Sequence, residues 1–512
     1  IKKFLMKTYR YLFLLAFVGV ISCKKSDLEL YPYNQIETEN AFKTEADVTL
    51  AVNGMYAGLR STSNSTYFVN GIWNILADVL SDNLIVNVSG PGRLTLRTYG
   101  NWQYTGEGTY QLFTDGYIIA RRANAILENI DKMPDGAFKN NAKGEALAVR
   151  AMTYFDMARV YSKTYQNANA TDWTVPYVTS TDPTILPPTE PVHGFYDKVI
   201  GDLESAKNLI GSDNGLYRMN KLTVSALLSR VYFYKGDFTK CIEASNDALG
   251  ANPSLPARSD FGSIWKDAEA NGNTAPYLGV YFKIRNTKTD NINNIGVNYY
   301  QPIANNSVPG GYEVKSEYVV PNDFRQLFAA NDIRTTTYLY TGIQAGKQFH
   351  HVIKYGGRAS SILGTDPSGT NPVGVVDYKV IRTAEVLLNR AEAYYRATPS
   401  NPAAALADLQ ALKKARYSGY LESDDAGLTG QLLLNEILLQ RRLELAFEGD
   451  RFWDLKRRNQ GIARSKTIGD LADGTGVPYI FTDLPAGDHR FQLPFPQREI
   501  NFNTNIKQNP DY

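Results

Sequence analysis

Two stretches of the chain combine flat rings with bidentate polar side chains. RTYGNWQYTGEG (97–108) offers Asn101, Trp102 and Tyr104, and NINNIGVNYYQPIANN (291–306) offers Asn298, Tyr299 and Tyr300. A ring can cover the C–H face of a pyranose while amides and carboxylates hold its hydroxyls. Both stretches are therefore candidate saccharide-binding loops. The chain as a whole is rich in rings, with 34 Tyr, 22 Phe and 5 Trp. Most of them are expected to fill the core, and Trp73 and Trp453, in helical surroundings, are assigned there.

Catalytic patterns are missing from the sequence. There is no Gly-x-Ser-x-Gly elbow, no phosphate-binding Gly-Lys-Ser/Thr loop and no His-Glu-x-x-His. His193, His350, His351 and His489 are too scattered for a ligand set, and a structural role is the plainer reading of the adjacent His350–His351 pair. Glu444 and Glu448 lie one helical turn apart beside Arg441, Arg442 and Arg451. That pattern predicts an ion-pair network bracing the last helices. A glycosidase would need two carboxylates facing each other across a cleft. No catalytic residue, metal or cofactor is assigned.

The chain has two cysteines, and each has its own expected role. Cys23 follows the apolar run YLFLLAFVGVI (11–21), which is preceded by Lys2, Lys3, Lys7 and Arg10. The run is too short for a bilayer span, which takes about 20 apolar residues, but fits a secretory signal. VISC (20–23) resembles a bacterial lipobox. By that resemblance residues 1–22 are removed and the Cys23 thiol is acylated, giving a membrane tether. Loss of residues 1–22, with four basic and no acidic residues, takes the formal net charge from +2 to −2. A near-neutral chain argues against nucleic acid or anionic lipid as main partner. With Cys23 acylated, Cys241 has no disulfide partner and is expected to pack in the core.

Helical periodicity dominates the elements that must position these groups. Helices are predicted over about 43–59, 111–132, 142–162, 193–210, 379–397, 401–416, 431–447 and 450–458, with a short one near 321–330. Residues 222–253 follow a tetratricopeptide pattern: Leu228 and Ser229, Tyr232, Gly236 at the turn, Ala248 and Pro253. Ser225 and Ser245 depart from it, standing where large aromatics are usual. Three more helix pairs read as degenerate copies: 142–162 with 193–210, 379–397 with 401–416, and 431–447 with 450–458. Residues 255–376 are rich in Gly, Asn, Ser, Pro and Thr, with a short alternating run at 278–284. The expected fold is mainly α: interrupted tetratricopeptide-like repeats, at about 142–253 and 379–458, with a loop-rich, ligand-facing insertion at about 255–376. Residues 23–512 are expected to form a single domain.

Several segments are similar to the SusD/RagB family of outer-membrane lipoproteins. They are GEALAVRAMTYFDMARVYSKTY (144–165), FYDKVIGDLESA (195–206), the segment ending in Asp332-x-Arg334, YKVIRTAEVLLNRAEAYYR (378–396), QRRLELAFEGDRFWDLKR (440–457) and the tail from Leu493. Gln440 stands where the family usually has Glu, which removes one expected ion-pair partner. The resemblance implies a SusD-like helical superhelix at the outer face of the outer membrane. It implies capture of oligosaccharides, or in some members peptides, for a SusC-type TonB-dependent transporter, without catalysis or cofactor. A lipoprotein glycoside hydrolase is the alternative from another class.

Overall fold

A computed structural model describes residues 42–60, 71–90, 96–108, 112–211, 214–250, 255–266, 279–285, 298–309, 311–357 and 377–512. Cys23 lies outside them. The helical frame begins with α1 (Glu45–Leu59), α2 (Ile72–Leu80), a short α3 (Arg97–Gly100), α4 (Leu112–Asn129) and α5 (Ala137–Tyr161). It continues through α6 (Val192–Leu209), α7 (Lys221–Lys235) and α8 (Phe238–Leu249). Local chemistry sets the boundaries. Thr44 and Asp47 form a reciprocal capping box at the start of α1. Asn220 and Asp237 cap α7 and α8 by accepting from the backbone N–H of Thr223 and Lys240. Gly236, at φ +80°, makes the left-handed turn between them. A Cβ there would also lie 2.7 Å from Cδ of Gln166.

Small residues let these helices pack closely. Gly144 on α5 sits against Leu209 and Ile210 at the end of α6. Ser229 and Ser245 hydrogen-bond across α7 and α8 at 2.7 Å, fully buried. The two small side chains leave room for a third helix, whose Asn389 carbonyl receives the Cys241 thiol at 3.8 Å. The departure at Ser245 is thus a packing solution, and Cys241 is core as expected.

The chain then leaves the frame through β2 (Val280–Ile284); β1 (Ile85–Val86) lies earlier, before α3. Outside the frame it forms β3 (Gln301–Ala304), β4 (Tyr312–Lys315), β5 (Tyr318–Val319), α9 (Asn322–Gln326), α10 (Ile333–Tyr338), β6 (Leu339–Gln344) and β7 (Lys347–Val352). It returns through β8 (Tyr378–Arg382), which pairs antiparallel with β2, Tyr378 opposite Ile284. The helix predicted from 379 therefore starts later. Its first residues are rich in β-branched side chains and are claimed by this ladder, so α11 runs Thr383–Arg396. After it come α12 (Pro402–Arg416), α13 (Gly430–Glu444), α14 (Arg451–Arg457) and the late α15 (Gln497–Phe502).

Successive helices pack side by side from α4 to α8, α8 then packs on α11, and α11 on α12 and α13. The array broken in the sequence by the insertion is thus continuous in space. The last expected pair behaves differently. α13 ends at Glu444 because Phe447 and Gly449 turn the chain at positive φ. α14 packs against α2, with Trp73 and Trp453 stacked 6.1 Å apart. Both tryptophans are core, as read from their helical surroundings.

Candidate functional site

The ring clusters singled out in the sequence turn inward. Trp102 is 3% exposed; its indole N–H donates to the Leu80 carbonyl at 2.9 Å and the Arg464 guanidinium lies 3.9 Å from its ring centre. Tyr104 is buried between Tyr99 and Tyr512, at 5.4 and 6.3 Å, and donates its hydroxyl to the Arg490 carbonyl. Tyr299 is 0% exposed and stacks on Tyr355; Asn298 and Tyr300 are buried with it. These rings offer no face to a ligand, which corrects the expectation drawn from their loops. The physical reason is that aromatic side chains carry the largest apolar area to bury, and here they seal the insertion and the tail onto the frame. Asn101 alone of the six is partly exposed, beside a small apolar pocket of about 30 Å³ shared with Arg97, Val88 and Ile480.

The histidine pair is structural. His350 meets Thr341 and the Ala472 carbonyl, and His351 meets Ser316. Burial pushes His351 down to about 3, so it stays neutral. Among the described residues no group of three or more His, Cys, Asp and Glu could hold a metal.

Behind the junction of insertion and frame lies a buried charge network. Glu444 accepts from Arg416 Nε and Nη2, both at 2.9 Å, and from Arg382 Nη1 at 3.0 Å, with Arg334 Nη1 at 3.5 Å. Asp332 holds Arg334 at 2.8 Å, while Glu448 holds Lys354 at 2.6 Å and Arg382 at 2.5 Å. Burial drives the Glu444 carboxyl up, but Arg416, Arg382 and Arg334 outweigh it and hold the group well below the usual carboxylate range. Burial moves Lys354 down, to about 8, against the pull of Glu448. Glu444 and Glu448 are thus committed to cations, as their sequence neighbourhood suggested, although the cations differ. Arg441 pairs with Asp450 and Asp454, and Arg442 and Arg451 pair with Asp82.

Among the described residues two open clefts stand out. One, of about 260 Å³, is lined by Lys163, Asn167, Lys456, Gln460, Phe491 and Gln492 among others. Three of its polar groups are already engaged: Lys163 by Asp172, Asn167 by the Lys456 carbonyl, and Lys456 by the Arg159 carbonyl. The other, of about 290 Å³, opens in front of the charge network. Its walls are Leu327 and Asn331 from the insertion, Lys413, Tyr417, Tyr420 and Asp424 from α12 and the loop after it, and Glu436, Leu439, Gln440 and Leu443 from α13. Strand-like pairing of Asp332 with Tyr417, and bonds exchanged between Asn331 and Ser418, lock the two walls together. A size near 300 Å³, two tyrosines and several amide and carboxylate groups suit a small polyhydroxyl ligand. Sequence reasoning missed this cleft because its walls come from three distant segments. The local signal was YSGYLESDD (417–425), two tyrosines in a Gly-containing acidic loop.

The chain is similar to known proteins along most of its length. A family model described as "SusD family" matches residues 313–512, and one described as "Starch-binding associating with outer membrane" matches residues 27–233. SusD-like protein P2 of Formosa agariphila is 25% identical, over 99% of this chain and 100% of its own. SusD-like protein P38 of the same organism is 26% identical, over 90% of this chain and 93% of its own. Among solved structures, a putative sugar binding protein from Bacteroides vulgatus superposes with a TM-score of 0.76 at 24% identity, covering 92% of this chain and 99% of that one. A SusD superfamily protein from Bacteroides thetaiotaomicron gives 0.74 at 22% identity, covering 91% and 100%. At these identities the structural likeness establishes the fold.

Proposed function

Because the chain belongs to the SusD family, we propose that it is a glycan-binding nutrient-uptake lipoprotein of the outer membrane, displayed at the cell surface, which captures oligosaccharides and passes them to a SusC-type TonB-dependent transporter. The observation that carries this reading is the match of residues 27–233 to starch-binding proteins associated with the outer membrane. In this reading residues 1–22 are cleaved, residues 23–512 act as one unit, and acyl chains on Cys23 supply the tether. Two or three chains hold where one is marginal. Binding without chemical change accords with Glu444 and Glu448 being tied to buried cations.

Affinity electrophoresis of the mature protein against a glycan panel, with reducing-sugar assays alongside, tests the reading. Retardation by a glycan with no sugar released is expected. Binding of oligopeptides and of no glycan would replace it with peptide capture, and sugar release by the pure protein would make it a hydrolase. Cell fractionation of Cys23→Ser should shift the protein out of the membrane fraction, and affinity pull-down of the wild type should recover a TonB-dependent transporter. Unchanged membrane retention refutes the tether.

A further inference from the structure

The Tyr417 cleft has a hydrogen-bond polarity fixed from behind. Arg334 is fully buried and can only donate. Its Nη2 donates to the Tyr417 hydroxyl at 2.8 Å and to Gln440 Oε1 at 2.7 Å. That contact sets the Gln440 amide: oxygen toward Arg334, nitrogen toward Tyr417 and Glu436. The amide nitrogen donates to the Tyr417 hydroxyl at 2.8 Å and to Glu436 Oε1 at 3.0 Å. The phenolic oxygen therefore accepts two N–H bonds, and both of its lone pairs are used. Its own hydrogen meets no acceptor among the described residues, and the half-buried hydroxyl must donate it into the cleft.

The groups around that hydrogen have complementary unused capacity. Asn331 spends its amide nitrogen on the Ser418 carbonyl, and Asp424 spends Oδ2 on the Leu421 N–H, which leaves Oδ1 of each. Glu436 receives Gln440 on Oε1, which leaves Oε2. Tyr420 is held as a platform. Its hydroxyl donates to Asp425 Oδ2 at 2.5 Å, and the Lys413 ammonium covers its ring at 5.3 Å from the centre. Leu327, 41% exposed, extends the apolar wall. Lys413 is itself engaged by Asp425 and Glu436, so the free charge facing the cleft is negative.

We propose that this cleft is a subsite for one neutral saccharide unit, an assignment that rests on the glycan-binding reading above. The Tyr420 ring takes a C–H face, the Tyr417 hydroxyl donates to a sugar oxygen, and the Asp424 and Glu436 carboxylates accept from sugar hydroxyls. Uronate or sulfate would meet Asp424 and Glu436 as like charges, so anionic glycans are excluded. Gln440 decides the polarity. A Glu in its place would accept the Tyr417 hydrogen and turn the hydroxyl away from the ligand, while still receiving Arg334.

The test is calorimetry and affinity electrophoresis of the mature chain with soluble starch, laminarin and galactomannan as neutral probes, and alginate and carrageenan as anionic ones. Wild type should bind at least one neutral probe and neither anionic one. Tyr420→Ala should weaken that binding about tenfold, and Gln440→Glu by about three- to tenfold, the size of one lost hydrogen bond, with circular dichroism confirming that each variant is folded at the assay temperature. If wild type binds a neutral glycan and both variants match it within about twofold, the subsite is wrong and the glycan-binding reading stands. Binding of the anionic probes alone overturns the neutral assignment. Binding of none of the five removes the reading and the subsite together.

Discussion

Glu444→Gln should cost about 2–4 kcal/mol of stability. Among the described residues Glu444 is the only carboxylate paired with Arg416, whose guanidinium otherwise lies 4.0 Å from the Phe261 ring centre and is fully buried. Arg334 keeps Asp332 and Arg382 keeps Glu448 when Glu444 is neutralised. The substitution therefore leaves one buried cation without a counter-charge, and breaking such a pair costs about 3–5 kcal/mol. The glutamine oxygen still accepts one bond, returning about 1 kcal/mol. Urea unfolding followed by circular dichroism, compared at constant slope, measures the difference. The wild-type advantage should also depend on acid. The folded carboxyl resists protonation, so the unfolded chain takes up the proton first, and wild-type stability falls as pH drops below roughly 4.3. Glu444→Gln lacks that component. A loss under about 1 kcal/mol, the scale of a surface pair, would refute the view that this network joins insertion to frame.

Asp78 accepts from Asn83 Nδ2 at 2.7 Å, the Phe447 N–H at 3.1 Å and the Gly449 N–H at 3.3 Å, so Asp78→Asn sets an amide against an N–H and should cost about 1–3 kcal/mol. Burial pushes Asp78 up to about 7, so the folded state holds a proton that the unfolded state has released; urea titrations should show the wild-type advantage over Asp78→Asn narrowing as pH rises from roughly 4 to 7. Gly144→Ala would place a Cβ 2.6 Å from Ile210 Cγ1 and 3.1 Å from Leu209 Cβ, and should destabilise by about 1–3 kcal/mol on the same denaturant assay, whereas an unchanged midpoint would mean that α5 and α6 separate freely.

The frame was legible because helical periodicity and caps are local. Asn220, Gly236 and Asp237 mark the α7–α8 turn in the sequence and in space. α2 was glimpsed only through Trp73, since a helix buried on every side has no polar stripe to reveal its period. α11 starts later than its periodicity predicts because the ladder that claims Tyr378–Arg382 comes from β2, almost a hundred residues earlier in the chain. The candidate site was hardest. Trp102 and Tyr299 have the composition of ligand platforms, and whether a ring faces out is decided by what packs over it. For Trp102 that is Arg464, and for Tyr299 it is Tyr355, neither of them a sequence neighbour.

The pairing of β2 with β8 has an evolutionary corollary. Everything between Ile284 and Tyr378 departs and re-enters side by side, so this stretch is a cassette grafted onto an uninterrupted stack. Doubling the length of a closed loop costs only about 0.6 kcal/mol. New lengths and chemistries can accumulate there at little thermodynamic penalty, provided Asp332 and Arg334 keep their hold on the stack. Such a stretch is free to vary while the architecture that carries it stays the same.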